Sequence, residues 1–340
     1  MSKTYDIAIA GATGAVGETL LRILEERDFP VGKLFPLASE RSVGRTVRFR
    51  GEDLRVEALY DFDFGQVQLG LFSAGAAVSA EIVPRAVAAG TVVIDNTSQF
   101  RYDDDVPLVV PECNAERIAD YTKRGIIANP NCSTIQLVVA CKPLQDAAGI
   151  ERINVSTYQS VSGAGRRSME ALTEQTQALL AGAGGVTGPG GEKSVAFNVV
   201  PKIDRLLVNG FTREEMKMIW ETRKILEDAD IMVNPTCVRV PVYLGHSEAV
   251  HLETRTKVTV SEARKLLNSA PGVTVLDGEG PGAYPTATDA ANRDAVFVGR
   301  IREDLSHPRG LNLWVVSDNL RKGAALNSVQ IAEILVNQVM

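Results

Sequence analysis

The sequence has few of the residues that build disulfide frameworks or metal centres. Its 340 residues include four cysteines and three histidines, and no two cysteines form a C-x-x-C pair. A chain of this length does not need disulfides to fold, and the histidines show no ligand spacing with the cysteines. We therefore expect free thiols in a reducing, cytoplasmic setting and no bound metal.

Long apolar runs and long basic runs are also missing. No apolar run approaches the roughly 20 residues that span a bilayer, and the net charge of −6 comes from interspersed acids and bases. Met1 to Thr4 lead straight into a predicted strand, so we expect no signal peptide. A composition of 45% hydrophobic and 23% charged residues indicates a globular protein of about two domains. Neither a nucleic acid nor a membrane is indicated as a partner.

The start of the chain has the pattern of a nucleotide-binding turn. An apolar run over residues 5–10 is followed by Gly11, Gly14 and Gly17 and then by an amphipathic helix over residues 18–26. Gly11 allows a tight turn, Gly14 lets a phosphate approach the backbone, and Gly17 lets the helix pack on the strand. The spacing is G-x-x-G-x-x-G rather than G-x-G-x-x-G, and many such turns bind nothing. Its place directly after the first strand favours a dinucleotide.

Further apolar strands alternate with helices in the first third of the chain. We predict strands at 33–38, 67–73, 91–95 and 125–128 and a helix at 78–89. Near-continuous apolar strands of this kind imply a parallel sheet covered on both faces. The pattern predicts an α/β fold with a Rossmann-type nucleotide-binding domain.

The residues after the second strand bear on the choice of nicotinamide cofactor. An acid there usually binds the ribose hydroxyls, whereas a base accepts a 2′-phosphate. This chain has both, in the run Ser39, Glu40, Arg41 and Ser42. The Arg41 cation and the two serine hydroxyls suit a phosphate, so NADP is favoured, while Glu40 leaves NAD open.

The pattern changes after about residue 130. Half-buried strands at 151–160, 238–243 and 249–256, with helices at 213–227 and 261–269, predict an α+β domain on a mixed or antiparallel sheet. The glycine-rich segment 181–191 is predicted to be a mobile loop.

The end of the chain is expected to return to the first domain. A strand at 311–316 precedes a helix over 324–339, whose apolar face needs a partner. The predicted domains are therefore residues 1–130 with 318–340, and residues 131–317.

Cys132 stands where an apolar strand, 126–128, gives way to an apolar helix, 135–144. A cysteine at a helix start lies at the positive end of the helix dipole beside unpaired backbone N–H groups, which favours the nucleophilic thiolate. The same donors can hold the oxyanion that forms when a thiolate attacks an acyl carbon. The alternative is a small buried cysteine in a strand-to-helix turn.

These segments together resemble the aspartate-semialdehyde dehydrogenase family, nearly from end to end. The motifs that carry the resemblance are the glycine turn at 11–17, Phe72-Ser73-Ala74-Gly75, residues 96–101, 129–134, 159–163 and 239–247, and the run 319–325. The resemblance implies NADPH-dependent reductive dephosphorylation of L-aspartyl 4-phosphate to L-aspartate 4-semialdehyde. That step feeds lysine synthesis through diaminopimelate, and threonine, methionine and isoleucine synthesis. A homodimer formed through the second domain is also implied.

The resemblance also implies roles for individual residues. Cys132 would be the nucleophile, His246 the acid/base, and Gln159 the residue that orients the bound intermediate. Arg101, Asn131 and Lys217 would bind phosphate, Arg239 the α-carboxylate and Glu214 the α-ammonium. The implied cofactor residues are Gly11, Thr13, Gly14, Ala15, Val16 and Gly17 near the pyrophosphate, Ser39, Arg41 and Ser42 around the 2′-phosphate, Ser73 at a strand end, and Ser162, Gly163 and Asn319 nearer the nicotinamide.

Taken singly, several of these residues have a simpler interpretation. His246 alone is more often a surface histidine near a strand end, and Glu214 with Lys217 is more often a solvated i, i+3 salt bridge. Two other functions stay open: N-acetyl-γ-glutamyl-phosphate reductase, which performs the same chemistry on a longer acetylated substrate, and a non-catalytic relative. The expected Glu214–ammonium contact argues against the former, and the presence of Cys132 against the latter.

Overall fold

The computed structural model describes residues 3–188 and 191–339, which form two compact units. Within these residues, the chain up to Asn131 and from Gly323 onward forms the first unit, and Cys132–Lys322 forms the second. The domain boundaries predicted from the sequence, after residues 130 and 317, fall near these divisions. No helix in the described part of the chain is both long and apolar enough to cross a bilayer.

The strands of the described chain are, in order, β1 Tyr5–Ala10, β2 Val31–Ala38, β3 Thr46–Phe49, β4 Glu52–Arg55, β5 Glu57–Ala58, β6 Leu69–Phe72, β7 Val92–Asp95, β8 Ile126–Ala128, β9 Ile150–Gln159, β10 Met232–Arg239, β11 His246–Thr254, β12 Val273–Val275, β13 Val296–Glu303 and β14 Gly310–Ser317. The helices are α1 Ala15–Glu26, α2 Ala76–Ala88, α3 Pro111–Asn114, α4 Cys132–Ala148, α5 Arg166–Leu180, α6 Arg213–Ile225, α7 Val260–Ser269, α8 Ala287–Ala290 and α9 Leu326–Ile334. Single π-helical turns, Arg321–Ala325 and Leu335–Val339, flank α9.

The first unit contains a parallel sheet in the order β5-β2-β1-β6-β7-β8. With the β3–β4 hairpin set aside, this is the 3-2-1-4-5-6 order of a doubly wound dinucleotide-binding fold. The predicted Rossmann-type domain is therefore confirmed. The predicted strands 33–38, 67–73, 91–95 and 125–128 correspond to β2, β6, β7 and β8, with ends within two residues of the observed ones.

The turn between β1 and α1 has the close packing that its glycines predict. Gly11 has a φ of 90°, a conformation that favours glycine. A Cβ on Gly17 would lie 2.2 Å from the Gly11 carbonyl oxygen, so only glycine lets the first turn of α1 pack this closely. Helix α1 begins at Ala15, three residues earlier than predicted, and thus Ala15, Val16 and Gly17 form its first turn.

The carboxyl-terminal helix packs on the first unit, as its apolar face predicts. Leu326, Val329, Ile331, Ala332 and Leu335 belong to the same buried cluster as the apolar residues of β1 and α1. Asn327 reaches the Val109 carbonyl oxygen at 2.9 Å and Asn129 Oδ1 at 2.7 Å, which satisfies its buried amide. The hydrophobic effect holds the helix, and these two bonds fix its register.

The second unit contains a mixed sheet in the order β10-β9-β11-β14-β13-β12. Strands β9 and β10 are parallel, β11 is antiparallel to both β9 and β14, β14 is antiparallel to β13, and β12 is parallel to β13. The predicted α+β domain on a mixed sheet is confirmed. Helix α4 packs against this sheet, and ten of its residues are buried.

The prediction of a strand at 238–243 is wrong, because the strand ends where it was expected to begin. Strand β10 runs from Met232 to Arg239. Pro241 has no backbone N–H to continue a ladder, and Val242 N instead donates to the Val240 carbonyl oxygen at 2.8 Å in a tight turn. Within the predicted mobile loop 181–191, Pro189 and Gly190 lie outside the described residues, and its mobility stays a prediction.

Replacing Gly17 by alanine should lower the free energy of unfolding by about 1–3 kcal/mol, the usual range for overpacking. The new Cβ would collide with the backbone of Gly11 and Ala12, which cannot move as a flexible side chain can. Urea denaturation followed by circular dichroism measures the change. The control is Gly280→Ala, whose Cβ would meet nothing within 4 Å. Equal stability of the two variants would show that the turn tolerates the extra atom.

Candidate active site

Cys132 is the first residue of helix α4 and is partly accessible. Cys141 and Cys237 are buried, whereas Cys132 is half-buried. The position at the start of a long helix places the first backbone N–H groups of the helix and its positive end beside the sulfur. The interpretation of Cys132 as a fully buried structural cysteine is therefore not supported.

The other predicted catalytic residues of the second unit lie at one edge of its sheet. Gln159 ends β9 and Arg239 ends β10, and the two are direct neighbours in the parallel ladder. His246 begins the antiparallel strand β11 and pairs with Ser317 at the end of β14. Because carboxyl ends of parallel strands and the amino end of an antiparallel neighbour meet at one edge, these side chains converge.

Arg239 connects this edge to the thiol. Its charge interacts with Cys132 and with His246, and a Cβ on Gly163 would lie 3.2 Å from His246 Nε2 and 3.4 Å from Arg239 Nη1. Arg239 Nη1 also donates to the Ser160 carbonyl oxygen at 2.6 Å, which fixes the guanidinium. A fixed cation beside a thiol favours the thiolate, the nucleophilic form.

His246 is completely buried, so it is not the surface histidine that its sequence context alone suggests. Its Nδ1 accepts from the Ser160 backbone N–H at 3.1 Å and lies 3.1 Å from Ser160 Oγ. A neutral imidazole with an accepting Nδ1 carries its proton on Nε2. Nε2 has no hydrogen-bond partner among the described residues, so it presents an unused N–H group to the site.

Burial, and after it the Arg239 cation, lowers the pKa of His246 to about 3. The ring is therefore neutral at physiological pH, and its Nε2–H group can donate a hydrogen bond into the site. A neutral ring is compatible with the base half of the predicted acid/base role. To accept the thiol proton at Nε2, the ring must first carry its proton on Nδ1, which breaks the hydrogen bond from the Ser160 backbone N–H.

A serine–asparagine network holds His246 in place. Ser160 Oγ and Ser162 Oγ donate to Asn319 Oδ1 at 2.9 and 3.2 Å, and the backbone N–H of Gly245 donates to the same oxygen at 3.0 Å. Asn319 thus fixes the backbone directly before the imidazole. Ser162, Gly163 and Asn319, which were expected near the nicotinamide, form one cluster with His246.

Glu214 and Lys217 form a largely buried ion pair rather than a solvated one. Lys217 Nζ lies 3.0 Å from Glu214 Oε2 and 3.0 Å from Asp204 Oδ2, with the Glu214 and Lys217 side chains 7% and 13% exposed. Burial disfavours the Lys217 charge, but the two carboxylates outweigh it and raise its pKa. Glu214 Oε1 also accepts from Gln159 Nε2 at 3.3 Å, which brings the pair to the sheet edge.

Arg101 and Asn131, the other two predicted phosphate ligands, belong to the first unit. Both are buried, and Arg101 Nη2 donates to the Asn96 carbonyl oxygen at 2.8 Å. Asn96 is itself held, since its Nδ2 donates to the Phe72 carbonyl oxygen and its Oδ1 accepts from Ser328. The guanidinium of Arg101 is thus anchored at the carboxyl ends of β6 and β7.

The predicted cofactor residues of the first unit gather at the carboxyl ends of β1, β2 and β6. Ser73 Oγ donates to the Ala10 carbonyl oxygen at 3.2 Å and packs on Gly11. Thr13 Oγ1 donates to Ser42 Oγ at 3.4 Å, which joins the glycine turn to the Ser39–Ser42 turn. Gly14, Ser39 and Arg41 are exposed. The glycine turn, which any Cβ at Gly17 would fill, fits a pyrophosphate on the helix start.

The sequence interpretation missed two residues that the structure places in the site. Ser160 orients both His246 and Arg239, and Asp204 is the second partner of Lys217. Ser160 stands inside a motif that was singled out, so its polarity next to Gln159 was an available signal. Asp204 had none. Among the described residues, no group of three or more histidines, cysteines or acids is placed to hold a metal.

The Rossmann-type fold of the first unit, and the thiol at a helix start in the second, are typical of one class: nucleotide-linked enzymes with a reactive cysteine. Comparison with known proteins narrows the class. The family model "Semialdehyde dehydrogenase, NAD binding domain" matches residues 6–121, and "Semialdehyde dehydrogenase, dimerisation domain" matches residues 141–322. Aspartate-semialdehyde dehydrogenase of Legionella pneumophila is 61% identical over 100% of this chain and 98% of its own length. The chain therefore belongs to the aspartate-semialdehyde dehydrogenase family.

Solved structures agree with this assignment. Aspartate-semialdehyde dehydrogenase II from Vibrio cholerae, complexed with ASA, has a TM-score of 0.97 and 56% identity, and the match covers all of both chains. The enzyme from Candida albicans, solved with NADP, has a TM-score of 0.77 and 27% identity over 98% of this chain and 99% of that one.

The pKa of His246 makes a prediction about stability at low pH. Between about pH 6.5, the ordinary histidine pKa, and about pH 3, His246 is protonated in the unfolded chain and neutral in the folded protein. As the pH falls through this range, the free energy of unfolding of the wild type should therefore decrease. The decrease should exceed that of His246→Gln by up to about 1.4 kcal/mol per pH unit. Urea denaturation from pH 7 to pH 4, at fixed protein concentration, measures this. Parallel pH profiles would contradict a neutral buried His246.

Proposed function

We propose that this protein reduces L-aspartyl 4-phosphate to L-aspartate 4-semialdehyde and phosphate with NADPH, the step that leads to lysine through diaminopimelate and to threonine, methionine and isoleucine. The observation that carries the proposal is the position of the Arg239 cation, within electrostatic reach of Cys132, Glu214 and His246. One site then contains a nucleophile, a proton donor and both charges needed to bind an amino acid. Relatives of 61% and 57% identity over nearly their full lengths bear the same enzyme name.

The charges of the site match an amino-acid substrate. A guanidinium binds a carboxylate with two parallel hydrogen bonds, so Arg239 is the proposed α-carboxylate ligand. The Lys217 charge is shared between Glu214 and Asp204, so this trio carries a net negative charge and attracts the α-ammonium to Glu214. Lys217, Arg101 and Asn131 are the proposed ligands of the phosphate.

Catalysis would proceed through a covalent thioester. The Cys132 thiolate attacks the acyl carbon and phosphate leaves, and the backbone N–H groups at the start of α4 stabilise the oxyanion. Gln159, held by Glu214 and by Thr157 Oγ1 at 3.2 Å, keeps the acyl group in line. NADPH, when bound, supplies the hydride that reduces the thioester carbonyl. Before the attack, His246 in the tautomer with its proton on Nδ1 accepts the Cys132 thiol proton at Nε2, and it returns this proton to the departing thiolate as the aldehyde is released.

NADP is the proposed cofactor. Ser39, Arg41 and Ser42 form an exposed turn at the end of β2, where the fold places the adenosine ribose. Glycines 11, 14 and 17, with residues 13, 15 and 16, would bind the pyrophosphate. The family match 141–322 carries the name of a dimerisation domain, and we propose a homodimer. The cytoplasm is the expected compartment.

Replacing Cys132 by alanine should abolish reduction and leave NADP binding nearly intact, because only the covalent step needs the sulfur. The assay follows NADP reduction with L-aspartate 4-semialdehyde and phosphate, and calorimetry measures NADP binding. Cys113→Ala, at the other half-buried cysteine, is the matched control and should keep wild-type activity. Normal turnover by the Cys132 variant would refute the thioester.

The same assay separates the proposed function from its nearest rival. With N-acetyl-glutamate 5-semialdehyde in place of L-aspartate 4-semialdehyde, we expect little activity, since an acetylated nitrogen has no charge for Glu214 to bind. Glu214→Gln should raise KM for the aspartate substrate. Faster turnover of the acetylated aldehyde would assign the chain to the reductase instead, and no turnover of either would indicate a non-catalytic relative.

Arg41→Ala should weaken NADPH more than NADH. Loss of one charge-assisted hydrogen bond costs about 1.5 kcal/mol, which corresponds to roughly tenfold in affinity. Steady-state KM values for both cofactors measure the difference. Glu40→Gln, at the adjacent exposed position, is the control and should leave KM for NADPH near its wild-type value. Equal changes for NADPH and NADH in Arg41→Ala would argue against a 2′-phosphate contact.

A further inference from the structure

Two buried polar side chains of the second unit have no role in the mechanism described above. Gln136, on helix α4, is 1% exposed, and Glu248, on strand β11, is fully buried. Within the described residues, none of their four side-chain oxygen and nitrogen atoms has a hydrogen-bond partner at normal distance. Buried polar groups are rarely left in this state because desolvation is costly. The pair therefore calls for a functional or structural reason.

The positions of Gln136 and Glu248 relate them to the catalytic residues. Gln136 follows Cys132 by four residues, so both side chains lie on the same face of α4. Glu248 follows His246 by two residues, so both lie on the same face of β11. Helix α4 packs against β11. Gln136 therefore lies one helical turn from the thiol on α4, and Glu248 lies two residues from the imidazole on β11. The two side chains belong to the layer next to the thiol and the imidazole.

The chemistry of the two groups makes them suitable partners. Burial raises the pKa of Glu248 well above its usual value, while the neighbouring Gln136 amide opposes this shift. Cys237, whose own pKa is raised chiefly by burial, also interacts with Glu248, and it is an uncharged thiol. A neutral carboxylic acid has one donor and one acceptor, as does the facing edge of a carboxamide. A reciprocal pair of hydrogen bonds between them would satisfy the buried groups on both elements.

We propose that Glu248 is a positioning residue: through its pairing with Gln136 it fixes helix α4 on strand β11, and this sets the separation of Cys132 and His246. The inference rests on the proposed function, because only there do the thiol and imidazole act together. Glu248 itself touches no substrate in this scheme. Its side chain acts as a neutral hydrogen-bonding group rather than as a charge.

The test compares Glu248→Gln, Glu248→Leu and the exchange variant Gln136→Glu with Glu248→Gln. Leu252→Ala, on the same strand and the same buried face, is the control for a general packing defect. The readouts are the pH profile of Cys132 alkylation by iodoacetamide, resolved from Cys113 by peptide mass spectrometry, and kcat and KM with L-aspartate 4-semialdehyde and phosphate.

Glu248→Leu should shift the alkylation profile and lower kcat by about tenfold to a hundredfold with little change in KM, since a displacement near 1 Å has effects of that order. Glu248→Gln and the exchange variant should both stay near the wild type, because each keeps a neutral hydrogen-bonding pair. Leu252→Ala should lose stability but retain the wild-type alkylation profile.

Three results would overturn the proposal. Glu248→Gln behaving as poorly as Glu248→Leu would show that the carboxylate charge matters. Leu252→Ala shifting the alkylation profile as much as Glu248→Leu would show a general packing effect. If Glu248→Leu does not fold, a shifted alkylation profile in the exchange variant would refute the proposed Gln136–Glu248 pair. Alkylation needs no turnover, so a failure of the proposed function, seen as an inactive wild type, is distinguishable from a failure of this inference.

Discussion

The charge of the half-buried Arg239 side chain is the interaction on which the candidate site depends. Its charge acts on the thiol of Cys132, it adds to the burial that keeps His246 neutral by lowering its pKa, and it is balanced by the carboxylate of Glu214. Removing an arginine from water is costly, and the cost is tolerable only because the guanidinium has a fixed acceptor in the Ser160 carbonyl group and an opposite charge nearby. The same low-dielectric surroundings strengthen every electrostatic effect at the sulfur.

The edge of the mixed sheet explains why these groups meet. A parallel pair, β9 and β10, ends beside the start of an antiparallel strand, β11, so three strands bring polar side chains to one line of the structure. The turn after β10, with Pro241 and the short Val242–Val240 bond, returns the chain at once to this edge. Strands provide a rigid support, which suits residues that must keep their positions to fractions of an ångström.

The arrangement around His246 refines the chemistry that the family resemblance implies. Nδ1 accepts a hydrogen bond, and Nε2 has no hydrogen-bond partner in the part of the chain that the structure describes, so its N–H group can donate a hydrogen bond into the site. A histidine with an ordinary pKa near 6.5 would be partly charged at neutral pH, whereas this one stays neutral and contributes no positive charge to compete with Arg239. The guanidinium therefore supplies the permanent charge of the proposed site, and the imidazole is the group proposed to transfer the proton.

Local patterns in the sequence were enough to determine the Rossmann-type first domain, the mixed sheet of the second, the start of α4 at Cys132 and the return of the last helix, because apolar periodicity and glycine spacing act over a few residues. The strand predicted at 238–243 failed because the effect of Pro241 depends on which neighbour the strand has. Only the tertiary structure decided the burial of the Glu214–Lys217 pair, the tautomer of His246, the partnership of Lys217 with Asp204 and the facing of Gln136 and Glu248. Each of these depends on burial or on a contact with another element, and charge, tautomer and hydrogen-bond partner are set by surroundings that exist only after folding.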